Sequence, residues 1–305
     1  MRISGVRAGA LCVAMVAAIS VADAAPTTAA PTTTTNCTGW HSDTVAAGLG
    51  QLENLEPDGR GGFYVSGYRK IYHVDGSGSV RTVLDDVAAP GGLQLDGTTL
   101  YLLTRSDGEL WRYDTVTEQL SHMVDFPGNG LLRLPDGDFL TTWIGTEDGP
   151  SRGVSRYDHT TGEVVANWSP TPRAEGLSLS PDHRAVYTDD LFTGQIYRIP
   201  LDAPDRWTVV TRIPGLLPGP DDVTASAEGD LYVAGHVSGT VHRVHLESGA
   251  SCVIAADLAK GWAGPTSVRI GPDGDRSALY VTSFDGTLRR LRPPSDVRLT
   301  PIDAV

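Results

Sequence analysis

Three observations predict an all-β chain folded as a six-bladed β-propeller with four antiparallel strands per blade. Six segments repeat one pattern: Glu53-Asn54-Leu55, Gly91-Gly92-Leu93, Asn129-Gly130-Leu131, Glu175-Gly176-Leu177, Asp221-Asp222-Val223 and Thr266-Ser267-Val268. Each runs within a few residues into an acidic turn (Asp58-Gly59, Asp96-Gly97, Asp136-Gly137, Asp182-His183, Glu228-Gly229, Asp273-Gly274) and then an apolar strand. Residues Tyr64, Tyr101, Leu140, Tyr187, Tyr232 and Tyr280 fall at equivalent places in those second strands, at a period of roughly 40–50 residues, which is the length of a propeller blade. The 35 Gly and 20 Pro among 305 residues fit a chain of many short strands and turns.

The N-terminus reads differently. Arg2 and Arg7 precede an apolar run from Ala8 to Val21, and Ala22-Asp23-Ala24 supplies small residues for cleavage. Residues 1–24 are therefore expected to be a secretory signal peptide, with an apolar run too short for a membrane span. Residues 25–37 are Pro- and Thr-rich, a composition expected of a disordered spacer. The propeller is expected over 38–305. Its last blade lacks chain for a fourth strand, and His41 to Ala47 can fill that place, closing the ring and removing a sheet edge.

Within each repeat the second strand is followed by a third ending in an apolar–basic–apolar run: Ile71-Tyr72-His73-Val74, Leu110-Trp111-Arg112-Tyr113, Val154-Ser155-Arg156-Tyr157, Ile196-Tyr197-Arg198-Ile199, Val241-His242-Arg243-Val244 and Leu288-Arg289-Arg290-Leu291. Fourth strands are visible in four repeats, at Arg81–Val83, Val164–Ala166, Trp207–Thr211 and Ser251–Ala255. A sandwich would hold fewer strands, and a β-helix coil would be shorter.

The formal charge of −13 argues against nucleic acid or an anionic membrane as partner. A small-molecule ligand, a monomer and an extracellular location are expected instead. Two cysteines remain after cleavage, Cys37 and Cys252. In an exported chain they form a disulfide or stay as buried thiols, and the six-blade arrangement puts them on neighbouring blades.

In a closed ring equivalent positions face one axis. Glu53, Asn129, Glu175 and Asp221 then meet at one channel mouth. Converging carboxylates repel unless a cation joins them, and an oxygen-only set suits Ca²⁺, or Mg²⁺ or Mn²⁺, rather than Zn²⁺. Taken singly, each residue is also compatible with capping an inner strand. The repeated aspartates (Asp58, Asp96, Asp136, Asp182, Asp273) fall at the other mouth and are read as turn residues. Residues after the second strands form the expected pocket wall: Tyr68, Arg105, Trp143, Asp190, His236 and Phe284, with Arg173 close to Glu175. Of these His236 is the one that titrates near neutrality. It is either a proton-transfer group or a surface histidine.

From about Leu52 to Leu291 the repeats resemble the regucalcin/gluconolactonase family of six-bladed metal-dependent lactonases. The stretches Glu175 to Asp190, Gly219 to Ala234 and Leu279 to Ser283 carry the resemblance most specifically. The resemblance implies that Glu53 is the first-blade ligand, Asn129 the substrate-side asparagine and Asp221 the metal-bound aspartate. Glu175 stands where the family has an asparagine ligand, and Asp222 where it has glycine, which is expected to add bulk and charge beside Asp221. Pro127 stands where the family has an arginine that contacts sugar lactones, which removes the ground for sugar-lactone specificity.

The leading reading is metal-assisted hydrolysis of a lactone or related cyclic ester. Asp221 or His236 would act as proton acceptor, and Asn129, Arg105, Trp143, Arg173 and Phe284 would contact substrate. A natural-product tailoring enzyme on the same scaffold, and a non-catalytic calcium-stabilised binding propeller, are the alternatives.

Overall fold

The structure is a computed structural model that describes residues 37–144, 153–259 and 262–302. The expected signal peptide (1–24) and nearly all of the spacer (25–37) lie outside the described residues. The described residues contain strands and no helix, so none is long and apolar enough to cross a membrane as a helix.

Six four-stranded antiparallel sheets form the blades of a six-bladed propeller. Blade 1 comprises β2 (Leu52–Pro57), β3 (Phe63–Gly67), β4 (Ile71–Val74) and β5 (Val80–Leu84). Blade 2 comprises β6 (Pro90–Asp96), β7 (Thr99–Thr104), β8 (Glu109–Asp114) and β9 (Leu120–Asp125). Blade 3 comprises β10 (Leu131–Arg133), β11 (Phe139–Trp143), β12 (Gly153–Tyr157) and β13 (Val164–Ser169). Blade 4 comprises β14 (Ser178–Leu179), β15 (Ala185–Asp189), β16 (Gln195–Pro200) and β17 (Thr208–Arg212). Blade 5 comprises β18 (Pro220–Ala225), β19 (Asp230–Gly235), β20 (Thr240–His245) and β21 (Ser251–Ala255). Blade 6 comprises β22 (Pro265–Asp273), β23 (Arg276–Ser283), β24 (Leu288–Arg292) and, at its outer edge, β1 (His41–Ala46).

The N-terminal strand thus closes the last blade: β1 pairs antiparallel with β24, His41 opposite Arg292. Arg290 reaches Asp43 and Asp273, with its Nη1 2.9 Å from Asp273 Oδ1, and Arg292 Nε lies 2.6 Å from Asp273 Oδ2. Cys37 and Cys252 form a disulfide that ties the chain just before β1 to β21 of blade 5.

The apolar core is divided among the blade interfaces. Leu52, Leu55 and Phe63 of blade 1 pack on Ala278, Tyr280 and Leu288 of blade 6. Tyr64 and Ile71 pack on Leu93 and Leu100 of blade 2, and the pattern continues around the ring to blade 5 against blade 6. The six equivalent second-strand residues all lie in β3, β7, β11, β15, β19 and β23, facing these interfaces or the adjoining outer strand. Three of the five turn aspartates serve their turns: Asp58 Oδ1 accepts from the backbone N–H of Arg60 and Gly62 at 2.7 and 2.8 Å, and Asp136 and Asp182 accept from Asp138 and Arg184 N–H at 3.1 Å, whereas Asp96 pairs with Arg133 and Asp273 with Arg290 and Arg292.

Two inner strands are shorter than the repeat suggests. β14 has two residues and β10 three, so Asn129 and Glu175 precede their strands. Backbone crowding near the axis explains this. A Cβ on Gly130 would lie 2.4 Å from the Glu175 carbonyl oxygen, and one on Gly176 would lie 2.5 Å from Asp222 Cα. The chain at these points packs closely on the next blade and keeps a few bonds to its own, such as Asn129 N–H to the Thr142 carbonyl at 2.8 Å.

Candidate functional site

The inner strands deliver their first residues to the axis through irregular backbone. Ladder register shifts fall between Leu52 and Leu55, Pro90 and Leu93, Pro220 and Asp222, and Pro265 and Ser267. Glu53, Gly91, Asp221 and Thr266 therefore sit on bulges, and a bulge re-aims a side chain that regular pleating would send into the blade.

A second device holds the residue beside three of the four candidate ligands, Glu53, Asn129 and Glu175. The Asn54 N–H donates to Ser66 Oγ, the Gly130 N–H to Thr142 Oγ1 and the Gly176 N–H to Asp189 Oδ1, each at 2.9 Å. Ser66, Thr142 and Asp189 lie two residues after Tyr64, Leu140 and Tyr187, so the clamp repeats with the blades. Sequence reasoning missed it. The signal was a polar residue in the second strand where an apolar one is expected.

The result is a tight cluster. Glu53, Glu175 and Asp221 each place a carboxylate oxygen within 4.8 Å of the others. They line a cavity of about 10 Å³ with Asn129 and Thr266, room for one ion or water. Asn129 Nδ2 donates to Glu175 Oε1, which leaves its amide oxygen as the atom it can offer. Arg105 Nη1 donates to Glu53 Oε1 at 2.8 Å. Glu53 Oε2 and Glu175 Oε2 are buried with no hydrogen-bond partner.

Burial pushes the pKa of Glu53 up, against the opposing pull of Arg105. Burial first, and then repulsion from the neighbouring carboxylates, pushes Glu175 and Asp221 well above the ordinary range. Orphaned buried acceptors and carboxylates forced together are what a bound cation relieves. The donor set is oxygen only, so the residues fit a hard divalent ion such as Ca²⁺.

His236 Nδ1 stands 3.5 Å from Asp221 Oδ2. The imidazole is buried, and burial lowers its pKa, so it is neutral near pH 7 and able to accept a proton. Phe284 meets it edge-on at 4.9 Å between ring centroids.

The remaining expected wall residues lie differently. Arg173 Nη1 is 3.4 Å from Asp190 Oδ2, and its guanidinium lies over Phe192. Asp190 caps its own turn, accepting from Phe192 and Thr193 N–H at 2.9 and 3.0 Å, so its carboxylate serves the backbone rather than the mouth. Trp143 ends β11 with its indole N–H buried and without a hydrogen-bond partner. Asp222, expected to add charge beside Asp221, turns instead toward blade 6, where Ser267 Oγ and Arg269 Nη1 donate to it. A wider cavity of ≈ 490 Å³ opens at the other mouth, lined by Glu56, Gln94, Arg133 and Arg269. Its amide and carboxylate groups are engaged: Glu56 accepts from Leu95 N–H, and Gln94 from Arg133 N–H.

The sequence profile of the SMP-30/gluconolactonase/LRE-like region matches residues 128–285. No curated protein sequence matches the chain. Among solved structures it is similar to regucalcin, a calcium-binding protein from Agrobacterium tumefaciens, at 22% identity over 85% of this chain and 95% of that one, with TM-score 0.66. It is also similar to a gluconolactonase from Xanthomonas campestris, at 17% identity over 83% and 89%, TM-score 0.67. Virginiamycin B lyase from Staphylococcus aureus aligns at 14% identity over 84% and 100%, TM-score 0.65. At these identities the structural likenesses speak for the fold.

Proposed function

This chain belongs to the SMP-30/gluconolactonase/LRE-like family, and from that premise we propose that it is a secreted, divalent-cation-dependent hydrolase of a lactone or related cyclic ester. The observation that carries the reading is the pair of buried, unpartnered carboxylate oxygens, Glu53 Oε2 and Glu175 Oε2, in a cluster completed by Asp221. The calcium-binding relative and the gluconolactonase support it. Export is supported by the signal-peptide pattern at 1–24 and by the Cys37–Cys252 bridge, since disulfides persist in oxidising compartments.

Glu53, Glu175, Asp221 and the Asn129 amide oxygen would hold the ion. When bound there, a divalent cation supplies the charge that polarises an ester carbonyl and offsets the negative charge developing on its oxygen. The chain's own groups do the rest. Arg105 fixes Glu53 through one carboxylate oxygen and leaves the other facing the cluster. Asp221 and His236 form the acid–base pair: one accepts the proton of the attacking water as its oxygen bonds to the carbonyl carbon. The ring C–O bond then breaks, and the proton passes to the departing alkoxide oxygen. Phe284 packs on the His236 ring and holds it toward Asp221.

The test is a panel of lactones with the mature chain, before and after chelation and with calcium restored. Ring opening that disappears with chelator and returns with calcium supports the reading. Calcium binding with every lactone recovered intact would leave a binding propeller.

A further inference from the structure

The rim above this charged floor is apolar along one arc. Tyr68 is 70% exposed, Phe192 52%, Leu216 102%, Leu217 40% and Trp262 70%. All five lie in loops at the mouth that carries the carboxylates. Tyr68 follows β3, Phe192 follows β15, Leu216 and Leu217 precede β18, and Trp262 precedes β22. They belong to blades 4, 5, 6 and 1, which are consecutive around the ring. Of the other exposed large apolar side chains, Val80, Leu120, Val165, Val209 and Val253 lie on outer strands, and Val116 lies in the turn between β8 and β9.

The arc is built, and it is continuous with the site. Pro218, next to Leu217, packs so closely on the turn after β15 that a Cβ on Gly194 would lie 2.5 Å from its Cγ. Gly219 takes φ 57°, and a Cβ there would lie 2.3 Å from Val237 Cγ2. The loop bearing both leucines is thus seated between the turns of blades 4 and 5. Trp262 stands 6.2 Å from the His236 ring, and His236 is 3.5 Å from Asp221. Apolar surface therefore leads from the acid–base pair outward to the rim.

The occupant follows from charge. Arg173 is engaged by Asp190 and Phe192, and Arg69 and Lys70 face Asp86 and Asp85. Among the described residues the arc therefore presents few free donors for a polyhydroxylated ring. The net charge of −13 disfavours docking on an anionic bilayer. A small amphiphile satisfies both ends of the surface. We infer that the arc from Phe192 through Leu216, Leu217 and Trp262 to Tyr68 is a chain-binding subsite, and that the substrate is a lactone carrying a long aliphatic substituent. The polar ring sits over the carboxylates and the chain lies along the rim. The inference rests on the hydrolase reading of the floor.

Two parallel series test it on the calcium-loaded mature chain: alkyl-substituted lactones of graded chain length assayed for ring opening, and the matching non-hydrolysable lactams assayed by calorimetry. Burial of each added methylene is expected to raise kcat/KM, and lactam affinity, about two- to fourfold until the chain outruns the arc. The double variant Leu216→Ser, Leu217→Ser is expected to lower the ratio of long- to short-chain kcat/KM several-fold. Lactam affinity that climbs with chain length while no lactone is opened keeps the subsite and removes the hydrolase reading. Lactam affinity independent of chain length, turnover of glucono-δ-lactone above that of every alkyl lactone, or sedimentation with neutral phosphatidylcholine vesicles without chain-length selectivity would overturn the subsite.

Discussion

Glu175 brings the third negative charge to the cluster, and Arg105 brings the charge that offsets it. The guanidinium lowers the pKa of both Glu53 and Glu175 by its field while bonding Glu53 directly. With a divalent ion the three carboxylates and Arg105 sum to neutrality. Arg105→Gln is therefore expected to tighten calcium binding on the order of tenfold at alkaline pH, because a like charge leaves the ion's surroundings. Weaker binding by calorimetry would instead assign Arg105 chiefly to holding Glu53 in place. Asp222 is the opposite case. It looked like an extra site charge in the sequence, yet it is buried against Arg269. Asp222→Gly strands that cation in the interior and is expected to cost about 3–5 kcal/mol in denaturant unfolding. A loss near zero would show that Arg269 finds another partner. Neither destination was legible from the sequence. A side chain's direction depends on bulges at Glu53 and Asp221 that leave no mark in residue type.

At the scale of the strand, the repeat was legible because it is set by periodicity. Second and third strands carry apolar residues on the faces packed between blades, and all twelve lie where the pattern predicts. Outer strands were less so. β9 (Leu120–Asp125) is half exposed, mixes polar and apolar residues, and carries little of the interface that imposes a pattern. β10 and β14 are short because Gly130 and Gly176, just before them, approach the next blade closely. The clamps were readable in principle: Ser66, Thr142 and Asp189 interrupt apolar strands at one repeated position. Thr142 is the most connected, accepting from Gly130 N–H and donating to the Glu175 carbonyl. Thr142→Val keeps the shape and removes both bonds. It is expected to cost about 1–3 kcal/mol, the penalty for an unsatisfied buried backbone group, and to weaken calcium binding more than an equally destabilising core change such as Ile199→Val. Unchanged calcium affinity would confine the clamp to stability.

For the whole molecule, closure matters most, since Glu53, Asn129, Glu175 and Asp221, spread along the chain, meet because the ring has one axis. Closure depends on β1, on the Asp43–Arg290–Asp273–Arg292 network and on the disulfide. The bridge spans 215 residues, and such a cross-link typically contributes about 2–4 kcal/mol. Cys252→Ser is expected to lower the Tm on the order of 5–10 °C. A shift under about 1 °C would show that strand pairing alone closes the ring. The site in turn weakens the metal-free ring as pH rises. Burial pushes Asp189 to about 8 and Glu56 to about 7, and raises Glu53, Glu175 and Asp221 in the same direction. The folded chain then holds protons that the unfolded chain releases. The contribution of these five groups to stability is full below the ordinary carboxylate values and is lost as pH climbs toward about 8. Cation binding at the cluster would expel the protons of Glu53, Glu175 and Asp221, so calcium affinity is expected to rise with pH.

Calorimetric titration of the mature chain with calcium at pH 5 and pH 8 tests this most directly, alongside Glu53→Gln and Asp221→Asn. The expected result is one ion per chain, bound more tightly at pH 8, with protons released on binding and affinity lost in both variants. Absence of divalent-ion binding at pH 8, or binding that survives both substitutions, would contradict the assignment of the three carboxylates as a cation site.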